Sequence, residues 1–173
     1  FPSQSRSVDL LLVAANANRD VENYERASSY WQRSLVSQPS PAQRAVAVRG
    51  LVFASLKTGA PGDVVEIVRR FLKLEDWQSL GLRVGNELKG VLSTAALDEG
   101  KRLNETGKVL EAGMLLTSIA EEFPDIPDRD RIWRDGGYML AIGGDWASAQ
   151  KTAEAYLDTA LDKNRPDMIY LLA

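Results

Sequence analysis

Apolar residues recur at helical spacing along nearly the whole chain, and no alternating run of β-branched residues bounded by hairpin turns interrupts them. Gly and Pro clusters punctuate the pattern at Gln38-Pro39-Ser40-Pro41, Gly59-Ala60-Pro61-Gly62, Glu105-Thr106-Gly107, Phe123-Pro124 through Pro127, Gly143-Gly144-Asp145 and Arg165-Pro166. Such clusters mark helix ends. The pattern predicts eight helices, at about 7–18, 20–37, 42–58, 62–74, 79–105, 108–122, 129–142 and 145–162. Ser40 before Pro41 offers a hydroxyl cap ahead of a proline in the first turn. Asp63 and Asp145 place carboxylates at helix N-termini, where the dipole favours them. Short connections between consecutive helices make neighbours antiparallel. The chain reads as all-α.

A longer period overlies the helical one. Gly100, Leu103, Gly107 and Ala112 recur as Gly137, Leu140, Gly144 and Ala149, each shifted by 37 positions (137 − 100). A fixed period of this size is the mark of stacked supersecondary units. The two-helix unit resembles the tetratricopeptide repeat, with small residues where its helices cross and a proline after the second helix. The resemblance rests on Gly100, Leu103, Gly107, Ala112, Leu116, Ile119 and Pro124 in one unit. In the next it rests on Trp133, Gly137, Leu140, Gly144, Trp146, Ala149 and Tyr156, and near the start on Ala15, Tyr24, Ala27, Trp31 and Pro39. A further unit keeps only the apolar rhythm and Gly59.

The resemblance implies a right-handed α-solenoid of about four antiparallel helix pairs, at about 8–41, 45–78, 93–126 and 130–163, forming a single superhelical domain over 1–173. Phe1 in place of a methionine and the apolar stretch Asp167 to Ala173 lead to the expectation of a fragment of a longer array. Gly100 and Gly137, with Ala112 and Ala149, are expected to let helix backbones approach closely. Tyr24 and Trp146 are expected to fill the wedge between a pair and its neighbour. Two departures stand out. Val64 to Ala112, counterparts in successive units, spans 48 residues, about 14 beyond a 34-residue period, with the excess around 74–91. Either the helix there is unusually long or an extra turn is inserted. The 37-residue spacing adds three residues, explained by Ile126-Pro127-Asp128 lengthening one loop.

Composition narrows the chemistry. The 173 residues are 45% apolar and 26% charged, as in a folded chain. There is no cysteine and no histidine, which removes disulfides, thiolate nucleophiles, Cys/His zinc sites and the commonest proton-transfer side chain. No cofactor is expected. A net charge of −3 disfavours nucleic acid as the main partner. No apolar run approaches the roughly 18–20 residues that span a bilayer. Neither Glu121-Glu122 nor Asp98-Glu99 makes a catalytic pair, because adjacent residues on a helix point apart. Gly81-x-x-x-Gly85 and Gly136-Gly137 lack the strand and the Gly-Lys-Ser/Thr of a phosphate loop. The charges from Asp128 to Asp135 read as a helix cap with exposed ion pairs; a metal at Asp128-x-Asp130 would need ligands from elsewhere.

Carried onto this sequence, the family's groove positions are Asn16, Arg49, Phe53, Lys101, Asn104, Arg131, Arg134 and Tyr138. Basic, amide and aromatic groups on one curved face suit an extended peptide or a neighbouring subunit. The same residues also suit ordinary exposed helix positions, and Phe53 and Tyr138 suit a core. The carboxylate clamp that some family members use on chaperone tails is missing, with Leu12, Gly50, Thr94 and Asp98 at its positions. Trp31, Trp133 and Trp146 read as core wedges, while Trp77 falls in the irregular insert. The resemblance thus implies a non-catalytic scaffold binding protein on its concave face. It extends to bacterial arrays of envelope secretion machinery such as exopolysaccharide export, which puts the periplasm ahead of the cytoplasm. Head-to-tail self-assembly is the alternative; a helical enzyme or a polysaccharide-binding array is disfavoured.

Overall fold

The computed structural model describes residues 2–59, 61–73 and 81–159, with backbone alone for 2–6 and 159. The described residues form eight α-helices and no strand: α1 (Pro2–Asp20), α2 (Tyr24–Val36), α3 (Pro41–Thr58), α4 (Pro61–Leu72), α5 (Leu82–Glu105), α6 (Val109–Glu122), α7 (Arg129–Ile142) and α8 (Trp146–Thr159). The largest shifts from expectation lie at α1, which begins at Pro2, and at the start of α2. There the chain turns through residues 21–23 with no Gly or Pro to mark it. At 24 residues α5 is the longest helix and takes up part of the excess around 74–91. The remainder, including Trp77, lies outside the described residues.

Three helix–helix turns share one hydrogen-bond pattern. After α5, the N–H of Lys108 donates to the Leu103 carbonyl at 2.8 Å and that of Gly107 to Asn104 at 3.0 Å. After α7, Asp145 donates to Leu140 at 2.9 Å and Gly144 to Ala141 at 3.0 Å. After α1, Asn23 donates to Asn18 at 2.8 Å and Glu22 to Arg19 at 2.9 Å. Each is a Schellman closure around a left-handed residue: Gly107 at φ 80°, Gly144 at φ 87° and Glu22 at φ 57°. Five residues later come Ala112, Ala149 and Ala27, all fully buried. The 37-residue spacing therefore records a repeated turn and the small residue beyond it. The α3–α4 turn differs, since Gly59 is extended and its N–H donates to Ser55 at 2.7 Å.

The starts of α3 and α8 carry the polar groups that the sequence offers there. Ser40 and Gln43 form a reciprocal capping box before α3, with the Gln43 amide oxygen 2.9 Å from the Ser40 N–H. The Asp145 carboxylate accepts from the Ser148 N–H at 3.1 Å.

The chain divides into two compact units, Phe1–Lys89 and Gly90–Ala173. In the first, Val8, Leu12 and Ala15 of α1 pack with Ala27 and Trp31 of α2 and with Ala47, Leu51 and Ala54 of α3. Trp31 lies against Gly50, where a Cβ would be driven into its indole. In the second unit, α6 and α7 meet backbone to backbone. A Cβ on Gly113 would sit 2.7 Å from the Leu140 nitrogen, and one on Gly136 would sit 2.9 Å from that of Thr117. Gly100 has the expected small-residue role, since a Cβ there would come within 2.9 Å of Leu116 Cδ1. Trp133 stacks edge-on with Tyr156 at 6.0 Å and is buried as expected.

Trp146 departs from expectation: it is 65% exposed, whereas Tyr24 at the same register is half-buried against Phe53, with ring centroids 6.0 Å apart. Tyr24 is covered from α3, the helix after its own pair; the chain after α8 lies outside the described residues.

Candidate functional site

Three of the predicted groove residues come together. Asn16 and Arg19 on α1, one helical turn apart, face Val46, Arg49, Gly50 and Phe53 on α3, and Trp31 of α2 completes the lining. The α3 residues follow an i, i+3, i+4, i+7 stripe, so one face of that helix forms a wall. This cleft encloses about 340 Å³, near the lower end of small-ligand and peptide-side-chain pockets. Its geometry follows from α3 being apolar on nearly all sides. Ala47, Val48, Leu51 and Val52 are buried in the unit, while Val46 and Phe53 remain exposed.

The polar groups of the cleft are organised by ion pairs. Arg49 donates through Nε and Nη2 to Glu87 Oε2 at 2.8 and 2.7 Å, and Arg83 Nε donates to Glu87 Oε1 at 3.1 Å. The Arg49 hydrogen bond, reinforced by Arg83, holds the Glu87 carboxyl below its ordinary range despite partial desolvation. Arg19 pairs with Asp20 at 2.8 Å, and the Lys57 ammonium lies 5.7 Å from the centre of the Phe53 ring. The Trp31 Nε1–H is buried without an acceptor among the described residues. The indole atom nearest the missing Gly50 Cβ is Cε2, which is bonded to that nitrogen. Phe53 is thus on the cleft wall, in an edge contact with Tyr24.

The other predicted residues belong to the second unit. Lys101 and Asn104 are exposed on α5, where Lys101 faces Glu105 at 3.8 Å. Arg131, Arg134 and Tyr138 follow one another along α7, with Arg131 3.6 Å and Arg134 3.1 Å from Asp135. Tyr138 is half-buried. Arg131 borders a shallow concavity with Ile126, Asp128, Arg129 and Asp130. The charge cluster acts structurally at its first arginine. Arg129 Nε donates to the Ala120 carbonyl at the end of α6 at 2.9 Å, and its guanidinium lies 4.2 Å from the Trp133 ring centre. Asp128 is the N-cap residue of α7 in the left-handed region, without a side-chain capping bond.

Carboxylates elsewhere are separated or paired. Asp98 is exposed while Glu99 is buried and held by Arg102 through two bonds of 2.6 and 2.7 Å, which raises the Arg102 pKa. Among the described residues, no group of three or more metal-ligating side chains converges. None of the described helices is long and apolar enough to cross a membrane.

Sequence reasoning missed Arg19, Val46, Gly50 and Trp31 as parts of the cleft. The signal available was the exposed stripe on α3, which only the buried set reveals as surplus apolar surface. A second concavity of about 630 Å³ was also missed. Leu35 and Val36 of α2, Leu51 of α3 and Ile67 and Phe71 of α4 line it, with Arg44 and Arg70 at its rim. No protein-family model, curated protein or solved structure matches the chain.

Proposed function

We propose that this chain is a tetratricopeptide-like helical-repeat scaffold that binds an extended segment of another protein on the face formed by its first helices. The observation that carries this reading is the turn repeated after α1, α5 and α7: the same two hydrogen bonds, a left-handed residue, and a fully buried alanine five positions on. Repetition of one turn is how stacked helix pairs keep a common geometry. The cleft of Asn16, Arg49 and Phe53 adds a place with both apolar walls and charged donors. In this reading the pairs stack as a right-handed solenoid, and the protein organises an assembly without catalysing a reaction. A bacterial envelope complex of the secretion or exopolysaccharide-export type is its setting.

The test is affinity capture from bacterial envelope and cytosolic extracts, with crosslinks mapped by mass spectrometry. The native chain is compared with an Arg49→Glu/Phe53→Ala variant and an Arg131→Glu/Arg134→Glu variant. Crosslinks on α1, α3 or α7 that disappear in the matching variant support the reading. A partner held equally by both variants moves binding off this face.

A second reading is self-association. Leu110 and Met114 of α6, Ile142 of α7 and Trp146 of α8 are all exposed, and Leu110 lies beside Gly143, 3.1 Å from where a Cβ would stand. Exposed apolar groups at one corner favour a protein contact. Light scattering over a hundredfold concentration range tests it, and a strict monomer throughout removes it.

A further inference from the structure

The cleft between α1 and α3 contains an ion pair with an unusual partner arrangement. Arg49 spends Nε and Nη2 on a single oxygen of Glu87, and the other oxygen of that carboxylate is already engaged by Arg83, four residues earlier on α5. Glu87 could leave Arg49 and remain paired. The arginine side chain is exposed enough to be reached, at 44%, and stands between two exposed apolar residues of the same stripe, Val46 and Phe53. Lys57 beside Phe53 and Arg19 across the cleft add positive charge in a chain whose net charge is −3. The groups in or touching the cleft are three cations, Arg19, Arg49 and Lys57, against two carboxylates, Asp20 and Glu87, before Arg83 is counted. Trp31, whose buried indole N–H has no acceptor among the described residues, also lines the cleft.

We propose that this cleft binds an acidic peptide segment carrying an apolar residue beside its carboxylate, and that Glu87 is the built-in stand-in which the ligand's carboxylate displaces from Arg49. The inference rests on the peptide-binding reading above and gives it a ligand chemistry. The apolar side chain lies over Val46 and Phe53. The carboxylate takes the guanidinium edge that Glu87 vacates, and Glu87 falls back on Arg83. The engagement of Glu87 by an arginine on each of its oxygens is what separates this arrangement from an ordinary surface salt bridge, which is worth little by itself.

The experiment starts from an unbiased random dodecapeptide display library selected on the full chain, followed by anisotropy titration of a labelled winning peptide. The expected winners are acidic with an apolar residue adjacent. Arg49→Gln and Phe53→Ala weaken the winning peptide by about tenfold or more, as loss of a charged hydrogen bond or an aromatic anchor does. Glu87→Gln, which removes the competitor, tightens it by about two- to fivefold, the worth of one exposed pair. Arg83→Gln weakens it by a similar factor, because Glu87 is then left to Arg49 alone. All four side chains are partly exposed, so the variants are expected to fold, and circular dichroism verifies each. In nitrogen–proton spectra the Trp31 indole resonance shifts on saturation, because this residue lines the cleft. Winners without acidic bias, or a Glu87→Gln variant that binds no tighter, overturn the proposal while leaving peptide binding standing. A selection with no enrichment overturns both.

Discussion

At the scale of single residues, the most instructive position is Glu22. It stands where Gly107 and Gly144 stand in the two later turns, with the same hydrogen bonds and the same left-handed backbone. A side chain with a Cβ adopts that conformation at a cost of about 1–2 kcal/mol, whereas glycine adopts it freely. Glu22→Gly is therefore expected to stabilise the chain by about 1 kcal/mol, after allowance for the added freedom of the unfolded state. Gly144→Ala is expected to cost about 1–2 kcal/mol through the same strain in reverse. Urea unfolding followed by circular dichroism reads both. A Glu22→Gly variant less stable than the parent would mean that the Glu22 side chain holds the turn. This residue also marks a limit of the sequence. Gly107 and Gly144 mark their turns, but the turn at 21–23 has no such mark, and α2 begins four residues after the position that the hydrophobic pattern predicts.

At the scale of the elements, helix crossings depend on which glycine faces the neighbour. The repeat spacing singled out Gly100 and Gly137, and Gly100 does make room for Leu116 of α6. Gly113 and Gly136 also bring the backbones of α6 and α7 together, and no 37-residue comparison connects them because each lies on a different helix of the crossing. Adjacent helix positions point about 100° apart, so spacing alone does not say whether Gly136 or Gly137 meets α6. Where the facing atom is backbone, nothing flexible can give way. Gly113→Ala and Gly136→Ala are each expected to destabilise by about 1–3 kcal/mol, the cost of overpacking. Gly90 is the counterexample on α5: open space surrounds its missing Cβ, so Gly90→Ala is expected to stabilise by about 0.8–1 kcal/mol through helix propensity alone. Thermal melts of the three variants should move in opposite directions; a destabilising Gly90→Ala would contradict the argument.

The helices themselves were readable because their ends carry chemistry: Ser40 and Gln43 for α3, Asp145 for α8, Gly107 and Gly144 for the closures. The cleft was readable only in part. Asn16, Arg49 and Phe53, three of the eight residues singled out from the sequence, line one cleft, but Trp31 read as pure core. It is buried, yet its indole nitrogen is exposed to no acceptor, a fact that depends on α2 and α3 meeting at Gly50 and has no trace in residue spacing.

At the scale of the whole molecule, charge composition sets how the fold responds to pH. With no histidine and no cysteine, no side chain of ordinary pKa titrates between the carboxylates and tyrosine. Among the described residues, Glu87 and Asp145 are carboxyls held below their ordinary range, and they lie in different units: Glu87 through Arg49 and Arg83, Asp145 through the Ser148 N–H. A carboxyl whose pKa is lower in the folded state than in the unfolded state binds fewer protons when folded. Its stabilisation is complete above the unfolded value, and it is lost as pH falls toward and through the folded one. Melting temperature is therefore expected to be flat from about pH 6 to 8 and to decline below about pH 4.5, where ordinary carboxylates take up protons. The acid limb should soften in a Glu87→Gln/Asp145→Asn variant, whose amides keep an acceptor oxygen but gain no proton in this range. High salt should reduce the Glu87 part, an exposed ion pair, more than the Asp145 part, a local capping bond. Melts from pH 3 to 8 at two salt concentrations separate these contributions. A decline beginning between pH 6 and 7 would count against assigning the acid limb to Glu87 and Asp145.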